Sequence, residues 1–265
     1  MEIASISSGS HGNCILVMSE KAHILVDIGI SKKKVLEGLE ILGVNPNDID
    51  AILVTHEHTD HIKGVGVFAR CYNTPIYSTH DTIECIKDSS TVGDVNDEQF
   101  NEITPFTSFE IEDIEILPIS TSHDAVDSVC YRFDSDDKSC AIVTDLGMYT
   151  EEIVDNLQGL NALFVESNHD LRMLETGPYP YHLKTRVWGK RGHLSNEDCG
   201  KLISELAHDD LEHIVLCHLS KENNLPELAY ESVRAEINSS EVDFSADDFS
   251  IKVTKREEVS CKIKI

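Results

Sequence analysis

Side chains of metal-binding types are concentrated in one short segment of this sequence. His56, His58, Asp60 and His61 lie within six positions. In extended or turn geometry His56 and His58 point the same way, because side chains alternate along the chain. Asp60 and His61 follow where a helix is expected to begin, so they can reach the same point from a second direction. The segment predicts a site that binds two metal ions.

Three more residues of metal-binding types each follow an apolar run. His123 comes after residues 117–122, Asp145 after residues 141–144 and His218 after residues 214–217. Each of them alone is more often an ordinary loop or capping residue. Together with the histidine segment, they predict that several strands deliver ligands to one edge of a sheet sandwich.

The elements that must position these residues can be predicted from periodicity and turn composition. Residues 51–55 form a continuous apolar run, typical of a buried strand, that leads into the histidine segment. The spacing Ser195-x-x-Asp198 resembles a capping box before a helix. No repeat or linker is apparent, so two sheets packed face to face in a single domain, residues 1–265, are expected. The predicted strands are Glu2–Ser7, 14–19, 23–27, 51–55, 75–78, 111–120, 129–134, 139–144, Ala162–Glu166, His213–Cys217 and one from 249; the predicted helices are Lys32–Leu42, 62–72, one from 81, 150–157, 182–190, 196–207 and 226–238; residues 88–101 are predicted as a loop.

Composition limits the classes of function. No run approaches the roughly 18 apolar residues of a membrane span, and the first residues lack a signal-peptide pattern, so no membrane association and a cytoplasmic location are expected. The eight cysteines include no C-x-x-C pair, which argues against a zinc ribbon or thioredoxin-type motif. A net charge of −26 excludes a simple basic-patch binder of nucleic acid, although it permits local positive sites.

The order His-x-His-x-Asp-His, then a lone His, a lone Asp and a lone His, resembles the signature of the metallo-β-lactamase superfamily. Asp27, which follows the apolar residues 24–26, matches the aspartate of that family's first motif. The resemblance covers nearly the whole chain. It implies an α/β fold, the four-layer αββα sandwich, with two divalent metal ions. The histidine and carboxylate donors suit zinc or manganese, and iron is possible.

The resemblance also implies a role for each ligand. His56, His58 and His123 would bind one ion, Asp60, His61 and His218 the other, and Asp145 would bridge them. Asp27 would orient the histidine segment without binding metal. Two ions that share a carboxylate can activate a water for hydrolysis, and Asp60 could hold the proton of that water.

Several branches of the superfamily fit less well. His58 occupies the position where flavodiiron oxidoreductases have glutamate, and Asp145 the position where one β-lactamase subclass has cysteine. The stretch from Asp145 to His218 is too short for the domain that β-CASP nucleases insert there. A compact hydrolase is therefore expected.

Four further segments, residues 7–14, 166–180, 184–196 and 218–224, resemble the YycJ/WalJ group of the superfamily. That group implies a 5′→3′ exonuclease acting on DNA in mismatch repair, with a repair protein as a possible partner. The resemblance leaves the oligomeric state open.

Individual residues favour a phosphodiester substrate as well. Ser8, Ser10 and Asn13 lie in a glycine-rich loop that can offer N–H groups and hydroxyls to a phosphate. His193 and Ser195 precede a predicted helix, where anions are favoured, and His193 could clamp a phosphate or protonate the leaving oxygen. The remaining candidates for substrate contact are Lys184 and Arg186 on the basic stretch, and Asn168 and His169 in the pocket wall.

Other interpretations of the same residues stay open. The glycine loop could be a hairpin turn, Ser195 an ordinary cap and the basic stretch a solvated helix face. The substrate could instead be a small phosphodiester, or a thioester as in glyoxalase II. A non-catalytic metal-binding regulator is a third hypothesis, but such a protein has no need to keep all seven ligand positions. Because the chain is so acidic, we expect DNA to be contacted locally, near the metal site.

Overall fold

The computed structural model describes all residues, Met1–Ile265. The chain divides into two compact units. Unit 1 comprises residues 1–120, 125–136 and 255–265, and unit 2 comprises residues 121–124 and 137–254. The expectation of a single domain stays a prediction. No helix is both long enough and apolar enough to span a membrane.

Unit 1 contains a seven-stranded sheet in the order β14-β1-β2-β3-β4-β5-β6. Its first four strands pair antiparallel, and the strands from β3 to β6 pair parallel. The strands are β1 Glu2–Ser7, β2 Cys14–Met18, β3 His23–Val26, β4 Ala51–Leu53, β5 Ile76–Thr79, β6 Phe100–Ile103 and β14 Ser260–Lys264. In the β3/β4 register Val26 lies opposite Leu53, so the residues that follow each strand emerge at the same edge. That edge carries the histidine segment.

The helices of unit 1 pack on this sheet through apolar faces. Leu25 and Ile52 of the sheet share one buried core with Leu39 and Phe68 of the helices. Burial of such side chains is the main contribution to the stability of a fold. The helices are α1 Lys32–Leu42, α2 Thr59–Ile62, α3 Val65–Tyr72 and α4 His80–Asp88.

Unit 1 also contains three antiparallel strands, β7 Phe109–Ile111, β8 Ile114–Ser120 and β9 Val129–Ser135. Tyr131 of β9 is buried, and its hydroxyl donates to the carbonyl of Val54, 2.8 Å away. The amide of Val129 donates to the carbonyl of Thr55. Both bonds hold the backbone immediately before the histidine segment.

Unit 2 contains four parallel strands with helices between them. Val143, Val165 and Leu216 are aligned across neighbouring strands, so the residues just beyond them meet at one edge. The strands are rich in apolar residues, as expected of parallel strands covered on both faces. They are β10 Lys138–Val143, β11 Ala162–Glu166, β12 His213–Cys217 and β13 Ser250–Val253; the helices are α5 Glu151–Asn156, α6 Leu171–Thr176, α7 Tyr181–Trp188, α8 Asn196–Leu206 and α9 Pro226–Ser239.

The predicted elements are largely confirmed, with differences at particular places. The helix predicted over residues 62–72 is two helices, because the chain turns at Gly64. The amide of Gly64 donates to the carbonyl of Ile28 at 2.7 Å, and a Cβ there would lie 2.1 Å from the carbonyl oxygen of Ile30. The loop predicted over 88–101 ends in a 3-10 turn, Asp97–Gln99, and the first residues of β6. Helix α6 was not predicted.

Candidate active site

The histidine segment of unit 1 brings its four side chains close together. His56 and His61 are fully buried, with ring centroids 4.1 Å apart. Nε2 of His56 lies 3.0 Å from Nδ1 of His58, and Oδ2 of Asp60 lies 3.6 Å from Nε2 of His61. Two nitrogens on one tetrahedral zinc stand roughly 3.4 Å apart. The spacing therefore suits donors that share an ion.

Asp27 holds this segment from the end of β3. Its Oδ1 accepts from the amide of Thr55, and its Oδ2 accepts from the Thr55 hydroxyl, each at 2.9 Å. The same Oδ2 lies 2.7 Å from Nδ1 of His61. A carboxylate on Nδ1 places the lone pair of the ring on Nε2, the arrangement found behind many metal-bound histidines. This geometry supports the orienting role expected of Asp27.

The glycine-rich loop is organised by Asn13. Its Oδ1 accepts from the amide of Gly9 at 2.9 Å, and its Nδ2 lies 3.1 Å from Nε2 of His61. Ser8 is buried, whereas Ser10 is exposed. The loop is thus attached to the histidine segment, and its predicted contact with a phosphate stays a prediction.

The carboxyl edge of the parallel strands in unit 2 carries a second cluster of donors. Ligand atoms of Asp145, Glu166, His193 and His218 all lie within 4.8 Å of one another. Nδ1 of His193 is 3.6 Å and Nδ1 of His218 is 3.7 Å from Oδ1 of Asp145. Imidazole and carboxylate donors together suit zinc, manganese or iron. Asp145 and His218 of this cluster fit a divalent metal ion, which His218 would bind through Nε2 because its Nδ1 contacts Glu166.

Glu166 connects this cluster and was not predicted as a functional residue. Its Oε1 accepts from Nδ1 of His193 at 2.7 Å and from Nδ1 of His218 at 2.6 Å. Its Oε2 accepts from the amides of Leu146 and Leu194, both at 3.1 Å. The signal was available in the sequence, since Glu166 ends a strand between the strands that lead to Asp145 and His218.

The charge of Glu166 is tied to the two imidazoles. Burial opposes ionisation of this carboxyl group and is the largest effect on it, but the contacts with His193 and His218 hold its pKa well below the ordinary value. For His193, burial is again the largest effect and lowers the pKa, yet the adjacent Glu166 carboxylate raises it above its ordinary value overall. The geometry therefore favours a carboxylate beside a histidine that carries a proton on Nδ1.

His123 is held by the segment that ends at His193. Its Nδ1 lies 3.0 Å from the carbonyl of Gly192, and its own carbonyl accepts from Nε of Arg191 at 2.8 Å. Burial lowers the pKa of His123. Its Nε2 lies 3.7 Å from Oδ1 of Asp145, so the structure brings these two predicted ligands together within unit 2.

Several predicted substrate residues lie in the interior of unit 2. Asn168 is buried and donates to the carbonyl of His218 at 3.0 Å. Ser195 is buried and caps α8 by accepting from the amide of Asp198 at 3.0 Å. His169 is fully buried with neither ring nitrogen hydrogen-bonded, and burial lowers its pKa to about 4. Their contact with a substrate stays a prediction; of the three, only Asn168 contacts a predicted metal ligand, His218.

The two predicted basic contacts lie at the surface of unit 2. Lys184 donates from Nζ to the carbonyl of Glu175 at 2.6 Å. Arg186 forms an ion pair with Asp124, next to His123, with Nη2 3.2 Å from Oδ1. Both cations lie on α7.

Comparison with known proteins agrees with this geometry. Residues 23–219 match the model of the beta-lactamase superfamily domain. The chain is 37% identical over 249 residues to the exodeoxyribonuclease WalJ of Streptococcus pneumoniae, covering 92% of this chain and 93% of that protein. It is 36% identical over 233 residues to the exodeoxyribonuclease YycJ of Bacillus anthracis, covering 88% of each.

Solved structures show the same fold at low sequence identity. Zn²⁺-bound PqqB from Methylobacterium extorquens superposes with a TM-score of 0.74 at 14% identity, covering 100% of both chains. The metallo-β-lactamase fold protein YhfI from Bacillus subtilis superposes with a TM-score of 0.68 at 16% identity, covering 98% of both. The chain therefore belongs to the WalJ/YycJ group of the beta-lactamase superfamily and has the metallo-β-lactamase α/β fold.

Proposed function

We propose that this protein is a metal-dependent exodeoxyribonuclease that hydrolyses phosphodiester bonds from the 5′ end of DNA. The observation that carries the proposal is the cluster of Asp145, Glu166, His193 and His218 at one sheet edge. It occurs in a chain that is 36–37% identical over most of its length to two exodeoxyribonucleases. Clustered imidazoles and carboxylates are the side chains that metal-assisted hydrolysis requires.

For the metal ligands we propose the assignment that the family resemblance implies. His56, His58 and His123 would bind one divalent ion, Asp60, His61 and His218 would bind the other, and Asp145 would contribute its carboxylate to both. We propose zinc or manganese because histidine and carboxylate donors suit both, and iron fits the same donors. When bound, such ions lower the pKa of water and stabilise negative charge on a phosphoryl group.

The remaining steps are assigned to side chains of this protein. Asp60 accepts the proton of the attacking water. His193, whose Nδ1 is held by Glu166, is oriented to donate a proton from Nε2 to the leaving oxygen. Asp27 fixes the ring of His61 through Nδ1. The loop with Ser8, Ser10 and Asn13 contacts the phosphate backbone.

The test is hydrolysis of three substrates by the purified protein: end-labelled duplex DNA, bis(p-nitrophenyl) phosphate and a thioester. Each is measured with Mn²⁺, with Zn²⁺ and with a chelator. We expect metal-dependent release of nucleotides from the 5′ end and no thioester cleavage. Cleavage of the thioester alone would reject the nuclease in favour of a glyoxalase II-like hydrolase, and no hydrolysis of any substrate would favour a non-catalytic regulator.

A cytoplasmic location and a repair protein as partner remain part of this proposal. The net charge of −26 supports local rather than extended contact with DNA, since long-range repulsion slows encounter with phosphates. A partner that delivers DNA ends would offset that repulsion.

A further inference from the structure

One segment of unit 2 differs in charge from the rest of this acidic chain. Residues 176–196 contain no aspartate or glutamate, although the chain has 48 acidic residues. The segment contains Lys184, Arg186, Lys190 and Arg191 together with His182. We call residues 176–196 the acid-free segment. Its positive charge favours binding of a polyanion.

Helix α7, in the middle of the acid-free segment, presents two aromatic rings to solvent. Tyr181 is 82% exposed and Trp188 is 59% exposed. No residue of α7 is buried, and neither ring is stacked on an aromatic or cationic group of the protein. Tyrosine and tryptophan are enriched at binding interfaces.

The two rings share one face of α7. Positions seven residues apart lie two helical turns apart on the same side, roughly 10 Å along the axis. Lys184 lies between them, one turn after Tyr181, and its ammonium donates to the carbonyl of Glu175. This face therefore carries two aromatic rings with one cationic group between them.

The acid-free segment is attached to the candidate active site at several points. The hydroxyl of Ser122 donates to the carbonyl of Lys190 at 2.8 Å, and Arg191 donates to the carbonyl of His123. Arg186 pairs with Asp124. The segment ends at His193, which contacts Glu166. A ligand bound to α7 would therefore lie close to the residues assigned to hydrolysis.

We propose that Tyr181 and Trp188 form a stacking surface for unpaired bases of a DNA strand whose end is hydrolysed at the active site. The proposal rests on the proposed function and specifies the form of its substrate. Aromatic rings stack on bases of any sequence, but only where the bases are unpaired. The cationic Lys184 between the rings and the absence of acidic residues in the segment favour this occupant over an apolar protein surface.

The binding test uses the full-length protein in chelator, where no hydrolysis occurs. Anisotropy measures the affinity for a fluorescein-labelled oligothymidylate, for an abasic oligomer of the same length and for a duplex. Trp188 is the only tryptophan, so quenching of its fluorescence reports stacking directly. We expect saturable quenching by the oligothymidylate, and weaker binding of the abasic oligomer and of the duplex.

Single substitutions test whether Tyr181 contributes to the proposed stacking surface. Tyr181→Ala should weaken binding of the oligothymidylate by roughly 5- to 150-fold, the range for one lost base stack. The exposure of Tyr181 makes misfolding of this variant unexpected, and circular dichroism checks it. Phe106→Ala is the matched control, because Phe106 is also an exposed aromatic residue (40%) and lies in unit 1. It should bind as the wild type does.

The outcomes separate this inference from the proposed function. Equal binding of the abasic oligomer, or unchanged binding by Tyr181→Ala, overturns the stacking surface. Self-association that quenches Trp188 also overturns the proposal, because a second copy of the chain would then cover α7. It would be seen as a molecular mass that rises with protein concentration. Hydrolysis of DNA by the wild type with Mn²⁺ is measured separately, and its absence rejects the exonuclease without affecting the binding result.

Discussion

At Glu166, one buried carboxylate accepts four hydrogen bonds, two from histidine rings and two from backbone amides. A histidine that binds metal through one nitrogen is commonly fixed by a partner on the other, and loss of that partner lowers metal affinity or activity by roughly 10- to 100-fold. Glu166 provides this partner to His218 and to His193 at once. Its effect on the reaction is therefore exerted through these two rings.

Glu166→Gln should lower both metal affinity and kcat, each by roughly 10- to 100-fold. The amide keeps the size of the side chain but has one acceptor oxygen and no charge. If that oxygen accepts from both Nδ1–H groups, the NH2 group faces the backbone amides of Leu146 and Leu194, which are donors as well. Calorimetric titration with Zn²⁺ measures the affinity, and hydrolysis of bis(p-nitrophenyl) phosphate measures kcat. Glu227→Gln, at an exposed glutamate of α9, should behave as the wild type. Unchanged affinity and rate in Glu166→Gln would reject its positioning role.

Asp145→Ala should lose bound metal and all hydrolysis, because the carboxylate assigned to bridge both ions is removed. Mass spectrometry of the native protein gives the metal content, and the DNA assay gives the rate. Asp155→Ala, at an exposed aspartate of α5, is the control and should retain both. Turnover with unchanged metal content in Asp145→Ala would exclude the bridging assignment.

His169 should make stability depend on pH in mildly acidic solution. Burial lowers its pKa from the ordinary 6.5 to about 4, so the unfolded chain takes up a proton at a higher pH than the folded protein does. Its contribution is complete above pH 6.5 and is lost as the pH falls toward 4. The loss amounts to about 3 kcal/mol.

Urea unfolding of the metal-free protein at several pH values measures this loss. His169→Gln cannot take up a proton, so its free energy of unfolding should fall by about 3 kcal/mol less than that of the wild type over the same pH range. His11→Gln, at an exposed histidine, should match the wild type. Identical pH profiles for His169→Gln and the wild type would show that folding does not lower the pKa of His169.

At the scale of elements, the ends of strands position the site. Asp27, Asp145 and His218 each follow a strand and adopt a left-handed backbone conformation, with φ of 58°, 58° and 54°. Aspartate and histidine adopt this conformation more readily than most residues, although it is uncommon outside glycine. The turn it produces directs each side chain away from the strand that precedes it. Strain of this kind is characteristic of functional sites.

Ser195→Ala should reduce the free energy of unfolding by about 1 kcal/mol. The serine hydroxyl accepts from the amide of Asp198 in the first turn of α8, and alanine leaves that amide without this acceptor. Urea unfolding measures the loss, and Ser195→Thr should restore most of it because threonine also caps helices. A large loss of DNA hydrolysis with no change in stability would instead identify Ser195 as a substrate contact.

At the scale of the whole molecule, the net charge of −26 sets the response to salt. Binders that depend on many phosphate contacts lose affinity steeply as salt rises. Here the negative electrostatic potential of the protein repels DNA, and salt screens that repulsion. The few cations of the acid-free segment act only at short range.

We therefore expect kcat/KM on DNA to stay level or rise when KCl is increased from very low to physiological concentration. Rates on bis(p-nitrophenyl) phosphate, a small substrate, serve as the control and should change little. A fall in kcat/KM on DNA of about a thousandfold, as for a protein with many phosphate contacts, would contradict this view of the electrostatics.

Much of the fold was predictable because the local sequence patterns of the strands and helices agree with the places these elements occupy in the fold. The strands that lead to the ligands, such as Ala51–Leu53 and His213–Cys217, are continuous apolar runs, and their bounds were predicted closely. The division of helix 62–72 was not predicted, because it depends on the close approach of Gly64 to the backbone of Ile28 and Ile30. Contacts between distant segments leave little trace in local periodicity.

The sequence by itself indicated the type of chemistry, since the residue types and spacing of the histidine segment, His123, Asp145 and His218 predict a metal-binding set. Only the tertiary structure decided which residues support that set. The hydrogen bonds of Glu166 to His193 and His218, the burial of Asn168 and His169, and the exposure of Tyr181 and Trp188 depend on how segments far apart in sequence pack together. Composition and spacing specify what a side chain can do, whereas its neighbours and its access to solvent specify what it does.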